Sequence, residues 1–581
     1  MNDWLAYGTK NGTHAARNIG NSRFEQDHFT VETPDRIMLL NGLILNKKEL
    51  FKQYHTESLD TLVNTMFVAD PDRFFHQFRG PFTGLVYDFQ QENAVVFTNQ
   101  TGDSAVFYYL SDTFCVFSSN YTVLCDFLRI KAVSLTLDEQ AAHWMLTFGY
   151  LIDNHTFAKE IKRLLPGKAL YLKDGTWFEK RYHQFTSDHL EITEEEAIDQ
   201  IDALFRQAVK RCFDKDLEYG YTRHLVDMSA GMDSRMVNYV AEALGYTGIT
   251  NLSYSQTGSE EERWSKAMAT HLGHPMVFAA LDDHEFIYDI DALLRGNYGT
   301  YLYTGITGGA RLLATIDWRQ FGTEQTGQLG DIAIGTFVKT DSLAVDPEAV
   351  RLSHRLPLRY EPNPEGFQNQ DLYSLYTRGF LGAMSSWFVR KEYTYALSPF
   401  IDVDFMAFCY ALPTEMRRNH NLYWKWVKKY YPDALTVPTS RKRVPVTPVE
   451  KSKDFMEKVF HKGLKVTRKG LFKMGLVSSR IRKDASMNPY EYWYDTDPKM
   501  RAFLDTYYKE HLPLLDPYPQ TKRDVEALFN SPVVLEKLMA LTVLGELTVK
   551  TANCQLFPGF VGQTGPIVGW RICGCVWVWY S

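Results

Sequence analysis

The sequence predicts a mixed α/β and α+β protein of two domains, and three observations carry that expectation. At 581 residues the chain is longer than one ordinary hydrophobic core organises. Up to about residue 185 it reads as short alternating strands and turns, among them "RIMLLNGLILN", "FTGLVYDF", "AVVFTNQTGDSAVFYYL" and "TFCVFSSN". From about residue 194 longer helical patterns take over, beginning with "TEEEAIDQIDALFRQAVKRCF".

The elements follow in order. The Pro-Gly turn in "IKRLLPGKALYL" leads to the junction between the textures. Thr193 and Glu196 stand at capping-box spacing at the head of the first long helix. "HLVDM" then reads as a buried strand, "SAGMDS" as a loop, and "MVNYVAEALG" as a helix that ends at Gly245. No repeat or low-complexity tract interrupts the chain. Domain boundaries are expected at 1–190 and 191–552, with an apolar, Gly- and Trp-rich tail at 553–581.

Composition narrows the class. A 45% hydrophobic, 23% charged chain is that of a soluble globular protein. A net charge of -7 gives no general case for nucleic acid or membrane surfaces. Neither a secretory pattern nor an apolar stretch of bilayer-spanning length is present. The seven cysteines (115, 125, 212, 409, 554, 573 and 575) are odd in number and mostly far apart, which suits reduced thiols and a cytoplasmic protein. From Arg441 to Lys483 fourteen Lys or Arg stand against three Asp or Glu, a stretch read as a solvated helical face before an anion-binding one.

The chemistry is expected in the loop after "HLVDM". Backbone N–H groups and a helix N-terminus converge there on an anion. Gly231 lets the backbone approach phosphates, and Ser229 and Ser234 supply hydroxyl donors. Asp233 repels a bare phosphate but suits a bridging Mg²⁺. The competing reading is an ordinary turn capped by Ser or Asp.

The segment resembles the S-G-G-x-D-S pyrophosphate loop of the PP-loop ATP pyrophosphatases, with Ala230 in place of the first glycine. Four further segments resemble asparagine synthetases in the family's order: "ITNLSYSQTGSEEERWSKAMATHLGHP", "TEQTGQLGDIAIGTF", "LSPFIDVDFMAFCYALPTEMR" and "TSRKRVPVTP". In the first half, "NGLILNKKEL", "FRGPFTGLVYDF", "NQTGDSAVFYY" and "TFAKEIKRLLPGKAL" look like that family's class II glutamine amidotransferase domain. The resemblance implies an Ntn-hydrolase-like αββα sandwich followed by a PP-loop α/β synthetase domain. It implies ATP and Mg²⁺ as cofactors, with the nucleotide held by Asp227, Ser229, Gly231, Asp233, Ser234, Tyr254, Thr326 and Gly327. The metal would lie on Asp233 and Asp331, and Lys442 would be the catalytic cation. A solvated basic turn is the alternative for Lys442, since Arg441 and Arg443 flank it.

Departures from the family pattern shape the functional expectation. The family's amidotransferase nucleophile is a cysteine whose own α-amino group is the base, whereas Met1 is followed here by Asn2. The resemblance therefore implies a catalytically inactive amidotransferase domain, with Asn46 on the family's oxyanion-hole asparagine. Gln328 replaces the family glutamate beside the reacting centre, and a glutamine takes no proton. Tyr298, Tyr301 and Tyr303 are the alternative bases, with aromatic packing as the competing role. Ile332 follows Asp331 in place of a glutamate, and Leu397 and Ser398 stand where an arginine is usual. The expected function is an ATP-dependent, AMP-forming ligase joining a small-molecule or peptide carboxylate to an amine, as in β-lactam synthetases and lasso-peptide cyclases. An asparagine synthetase using free ammonia and a non-catalytic scaffold are the alternatives. A homodimeric partner completes the expectations.

Overall fold

A computed structural model describes residues 2–9, 14–20, 23–306, 309–335, 344–439, 468, 470–472 and 474–551. Lys442 and the 553–581 tail lie outside the described residues.

Eleven strands build the first half: β1 (Asn2–Thr9), β2 (His14–Gly20), β3 (Phe29–Glu32), β4 (Arg36–Gly42), β5 (Phe82–Asp88), β6 (Asn93–Thr98), β7 (Val106–Leu110), β8 (Phe114–Ser118), β9 (Lys162–Leu164), β10 (Lys168–Lys173) and β11 (Thr176–Arg181). They form two antiparallel sheets in the orders β2-β1-β8-β7-β9 and β11-β10-β6-β5-β4-β3. Side chains alternate faces along each strand. One set (Trp4, Ile37, Leu39, Val96, Val106, Phe117 and Leu170) fills the space between the sheets. The opposite set on β4–β6 packs against α1 (Lys47–Tyr54) and α2 (Leu59–Ala69) through Met38, Leu40, Leu62 and Met66. Leu5, Phe107 and Val116 pack against Leu124 and Leu128 of α3 (Tyr121–Ile130). Helix layers thus cover both outer faces, as expected of an αββα sandwich.

The next helix, α4 (Glu139–Phe148), belongs by sequence to the first half. Its Ala141, Ala142 and Met145 nevertheless pack into the core of the C-terminal helices, against Leu538, Leu541 and Val543 of the helix Val534–Thr551. The two halves interlock through this helix.

The second half opens with α5 (Glu194–Glu218), whose Thr193 and Glu196 form the expected capping box. Its sheet is parallel throughout. The strands β12 (Arg223–Asp227), β13 (Ile249–Ser255), β14 (Met276–Ala280), β15 (Phe321–Gln325) and β16 (Ala396–Leu397) lie in the order β14-β13-β12-β15-β16. Helices α6 (Asp233–Ala243) and α7 (Glu260–Leu272) are the first two crossovers. The strand sequence reverses direction between β12 and β15. In open parallel sheets of this kind ligands bind at such a reversal, outside the C-terminal strand ends. Gly245, at φ 87°, ends the turn after α6 in a conformation suited to glycine. Among the described residues no helix is long and apolar enough to cross a membrane.

Candidate nucleotide site at the strand reversal

Two loops meet at the β12–β15 reversal. The first, Met228–Met232, leads from β12 into α6, whose first residue is Asp233. Ser234 Oγ accepts from the Ser229 backbone N–H at 2.9 Å and lies 2.8 Å from Ser229 Oγ. Ser229 Oγ accepts in turn from the Gly231 N–H at 3.1 Å. The two serine hydroxyls therefore meet at this loop, each accepting from one of its amides. The Ala230 N–H donates to Glu261 Oε1 at 2.8 Å, so this loop already holds a carboxylate oxygen on a backbone donor.

The second loop, Thr326–Asp331, follows β15 and wraps around the start of α6. A Cβ on Gly327 would lie 2.4 Å from the Ser234 nitrogen, and one on Gly330 would lie 2.7 Å from Asp233 Cβ. Only glycine permits these approaches. The Asp331 backbone N–H donates to Asp233 Oδ2 at 3.1 Å, and the Tyr423 hydroxyl donates to Asp233 Oδ1 at 2.8 Å. Asp233 and Asp331, 98 positions apart in sequence, are adjacent in space.

The donor set fits Mg²⁺ with a nucleotide. Mg²⁺ is ordinarily held by one or two carboxylates together with substrate phosphate oxygens and water. Two aspartates stand here beside backbone donors and serine hydroxyls suited to phosphate. Among the described residues no group of three or more His, Cys, Asp and Glu could hold a metal alone.

The remaining expected residues divide. Thr326 is buried, and its hydroxyl accepts from the Gln328 N–H at 3.2 Å, so it shapes the turn. Gln328 is braced by its backbone: Ser398 Oγ donates to its carbonyl at 2.9 Å. Tyr254 is half-buried, and its hydroxyl accepts from Arg390 Nη2 at 3.3 Å. Asp227, at the end of β12, faces Glu324 of β15; burial first, and the Glu324 charge second, push its carboxyl well above the usual range. Glu324 is fully buried and paired with Arg390. Two acids in buried parallel strands, which usually read as apolar runs, were a visible signal. Glu324, outside the expected site residues, carries that signal. Tyr423 and Glu261 carried no local signal.

Burial decides between the two roles expected of the tyrosines. Tyr298 and Tyr303 are 3% and 0% exposed, and burial drives both hydroxyls further above the ordinary tyrosine range, as it does for Tyr301. Tyr303 donates to the Ile287 carbonyl at 3.2 Å. The three are packing residues rather than bases. Asn46 spends its side-chain amide on the chain at 77–79. Its Nδ2 donates to the Gln77 carbonyl at 2.9 Å and its Oδ1 accepts from the Arg79 N–H at 3.0 Å. These bonds brace the loop and use one of the two Nδ2 hydrogens.

At the start of β1, Asp3 is buried and held by Ser119 Oγ at 3.1 Å and Asn120 Nδ2 at 2.9 Å. Cys115, on β8, has its thiol pushed up to about 11 by burial, which disfavours the reactive thiolate. Cys125 is buried in α3.

Residues 21–183 match the glutamine amidotransferase domain family. No curated protein sequence matches the chain. Among solved structures, the glutamine phosphoribosylpyrophosphate amidotransferase from B. subtilis complexed with ADP and GMP is 9% identical, with a TM-score of 0.23, and the match covers 48% of this chain and 85% of that one. A structure titled as the allosteric regulatory enzyme of purine biosynthesis is 11% identical, with a TM-score of 0.22, covering 48% of this chain and 74% of its own. Superpositions this loose carry no argument about the site. The family match and the two-sheet sandwich agree on one statement: residues 21–183 form an Ntn-type, glutamine amidotransferase-like domain.

Proposed function

We propose that this chain is an ATP-dependent, AMP-forming carbon–nitrogen ligase of the asparagine synthetase type. A substrate carboxylate would be adenylated with release of pyrophosphate, and the acyl group would pass to an amine. The observation that supports this reading is the closure of the Met228–Met232 and Thr326–Asp331 loops around the first turn of α6, with Asp233 and Asp331 brought together.

Each residue then has a role. Ser229, Gly231 and Ser234 would hold the pyrophosphate through hydroxyl and backbone donors. Asp233 and Asp331 would hold Mg²⁺, which supplies charge neutralisation on the phosphates. Tyr423 orients Asp233 through its 2.8 Å hydrogen bond. Asp227, Tyr254, Thr326 and Gly327 would wall the nucleotide. Lys442 is the proposed cation for transition-state charge. Asn2 opens β1, and neither cysteine of the amidotransferase-like domain stands there. The amine is proposed to come from a substrate or from free ammonia, with this domain as scaffold, since burial holds the Cys115 thiol protonated.

Calorimetric titration with Mg²⁺ and α,β-methylene-ATP tests the reading. Saturable, Mg²⁺-dependent binding that Asp233→Ala weakens by about a hundred-fold, within the range for losing a metal's charged ligand or its support, is the expected result. Equal affinity in wild type and Asp233→Ala would remove the assignment.

A further inference from the structure

The guanidinium of Arg390 joins two strands of the second sheet across a third. Its Nη1 pairs with Glu324 of β15, and its Nη2 donates to the Tyr254 hydroxyl of β13 at 3.3 Å. Strand β12 runs between those two and ends at Asp227, level with Leu252 of β13. Neighbouring strands lie about 4.8 Å apart, so the pairing spans about 10 Å across the end of β12. Against the cost of burial, Glu324, Tyr254 and Asp227 together keep Arg390 charged. The residues that follow β12 and β15 are the two loops of the site, Met228–Met232 and Thr326–Asp331.

Strand pairing does not require these charges. Buried parallel strands are normally apolar, and a buried ion pair stabilises little more than hydrophobic side chains of the same volume. A planar guanidinium adds direction, with donors held at fixed angles to two acceptors. Glu324 is fully buried and the Arg390 side chain is 11% exposed, so both are confined. The helical segment that carries Arg390, Ala383–Glu392, is itself fixed from two sides. Arg163 of β9, 2% exposed, donates from Nη1 to Ser385 Oγ at 3.3 Å, and its guanidinium lies 5.3 Å from the centre of the Phe388 ring. From the second loop, Gln328 Nε2 donates to the Ala383 carbonyl at 3.4 Å.

We propose that Arg390 is the positioning residue of the nucleotide site: by bonding Tyr254 and Glu324 on either side of β12, it sets the separation of the strand ends from which the serine loop and the Asp331 loop start. The inference rests on the nucleotide reading of the strand reversal and adds the group that fixes its width. Arg390 acts through Tyr254 and the loop that follows Glu324, which makes its role one of positioning rather than catalysis.

Calorimetric titration of the full chain with Mg²⁺ and α,β-methylene-ATP, beside denaturant unfolding, tests this in two variants. Arg390→Lys keeps a charge beside Glu324 but has no planar fork with which to reach Tyr254 as well. Glu324→Gln combined with Arg390→Met removes both charges, so neither is left buried without its partner. Each variant should stay folded and bind the nucleotide about ten-fold or more weakly, the scale of one charge-assisted hydrogen bond. A merely structural Arg390 would lower the unfolding midpoint and leave the affinity of the folded protein alone. Wild-type affinity in Arg390→Lys would show that charge alone suffices, and in the double variant that Arg390 only offsets Glu324; either overturns the proposal. One folded variant is enough if the other does not fold. A wild-type chain that binds no nucleotide removes the reading of the site and this inference together, whereas binding that is equal in wild type and variant removes the inference alone.

Discussion

Gly327 lies against the backbone of Ser234, so closely that a Cβ there would stand 2.4 Å from the Ser234 nitrogen. That contact joins the ends of β12 and β15 and sets the distance between the serine loop and Asp331. Gly327→Ala has no free space to enter, and the atom it meets is backbone rather than a flexible side-chain tip. We expect about 1–3 kcal/mol of destabilisation, the usual scale of overpacking, together with loss of Mg²⁺-dependent nucleotide binding in the folded fraction. Urea unfolding and calorimetry on the same sample check both; nucleotide affinity unchanged by the methyl group would contradict the site.

Tyr423→Phe removes the 2.8 Å hydrogen bond to Asp233 while keeping the ring that packs in the core of α5 and α6. The fold should hold, and the Mg²⁺ concentration that half-saturates nucleotide binding should rise about ten-fold, as when the group orienting a metal ligand is lost. A Mg²⁺ titration at fixed nucleotide reads this directly. A purely structural tyrosine would lower the unfolding midpoint and leave the Mg²⁺ dependence alone.

Arg211 ties the halves together. Its guanidinium bonds Glu49 of α1 at 3.0 Å, Asp402 at 2.9 Å and Asp404 at 2.7 Å, and the side chain is 8% exposed. Burial raises the Asp402 carboxyl, and Arg211 is the main group opposing that effect. Arg211→Met strands Asp402 and should cost about 3–5 kcal/mol, the range for removing one partner of a buried pair. Arg79→Met breaks the pair with Asp404, whose side chain is 32% exposed, and the bonds to the His76 and Phe78 carbonyls at 3.1 Å, and should cost less, about 1–2 kcal/mol. Denaturant unfolding of the two variants should rank them in that order.

His28 should make stability fall on acidification. Its Nδ1 accepts from the Gly42 N–H at 3.2 Å, which requires the neutral ring, and burial lowers its pKa from 6.5 to about 4. The folded state thus resists a proton that the unfolded chain accepts. The stabilisation is complete above pH 6.5 and is lost as the pH falls from there towards 4. Asp27 beside it, lowered by Lys215 and Lys47 against the burial cost, loses its own stabilisation at still lower pH. His28→Gln should therefore be less stable at neutral pH but lose less stability than wild type between pH 7 and 5. Parallel unfolding curves for the two proteins across that range would refute the assignment.

Purified protein should release no glutamate from glutamine, because burial holds the Cys115 thiol protonated and Cys125 is buried in α3. A coupled glutamate assay checks this with and without nucleotide; glutaminase activity from this chain would return the amidotransferase-like domain to a catalytic role.

Local patterns determined much of this molecule. Period-two alternation marked the strands of the sandwich, the Thr193–Glu196 spacing marked the head of α5, and the strand–loop–helix around Ser229–Ser234 was legible because glycine, serine and helix-forming residues act over a few positions. Tertiary structure alone decided what depends on residues far apart in the chain. Asp233 meets Tyr423 across 190 positions, Asp227 meets Glu324, and α4 leaves its sequence neighbours to pack beneath the helix Val534–Thr551. Burial likewise turned Tyr298 and Tyr303 from candidate bases into core and packed Tyr301 against it. The physical reason is range: turn chemistry and strand periodicity act over a few neighbouring residues, whereas desolvation and hydrogen-bond partnership depend on what folding brings alongside.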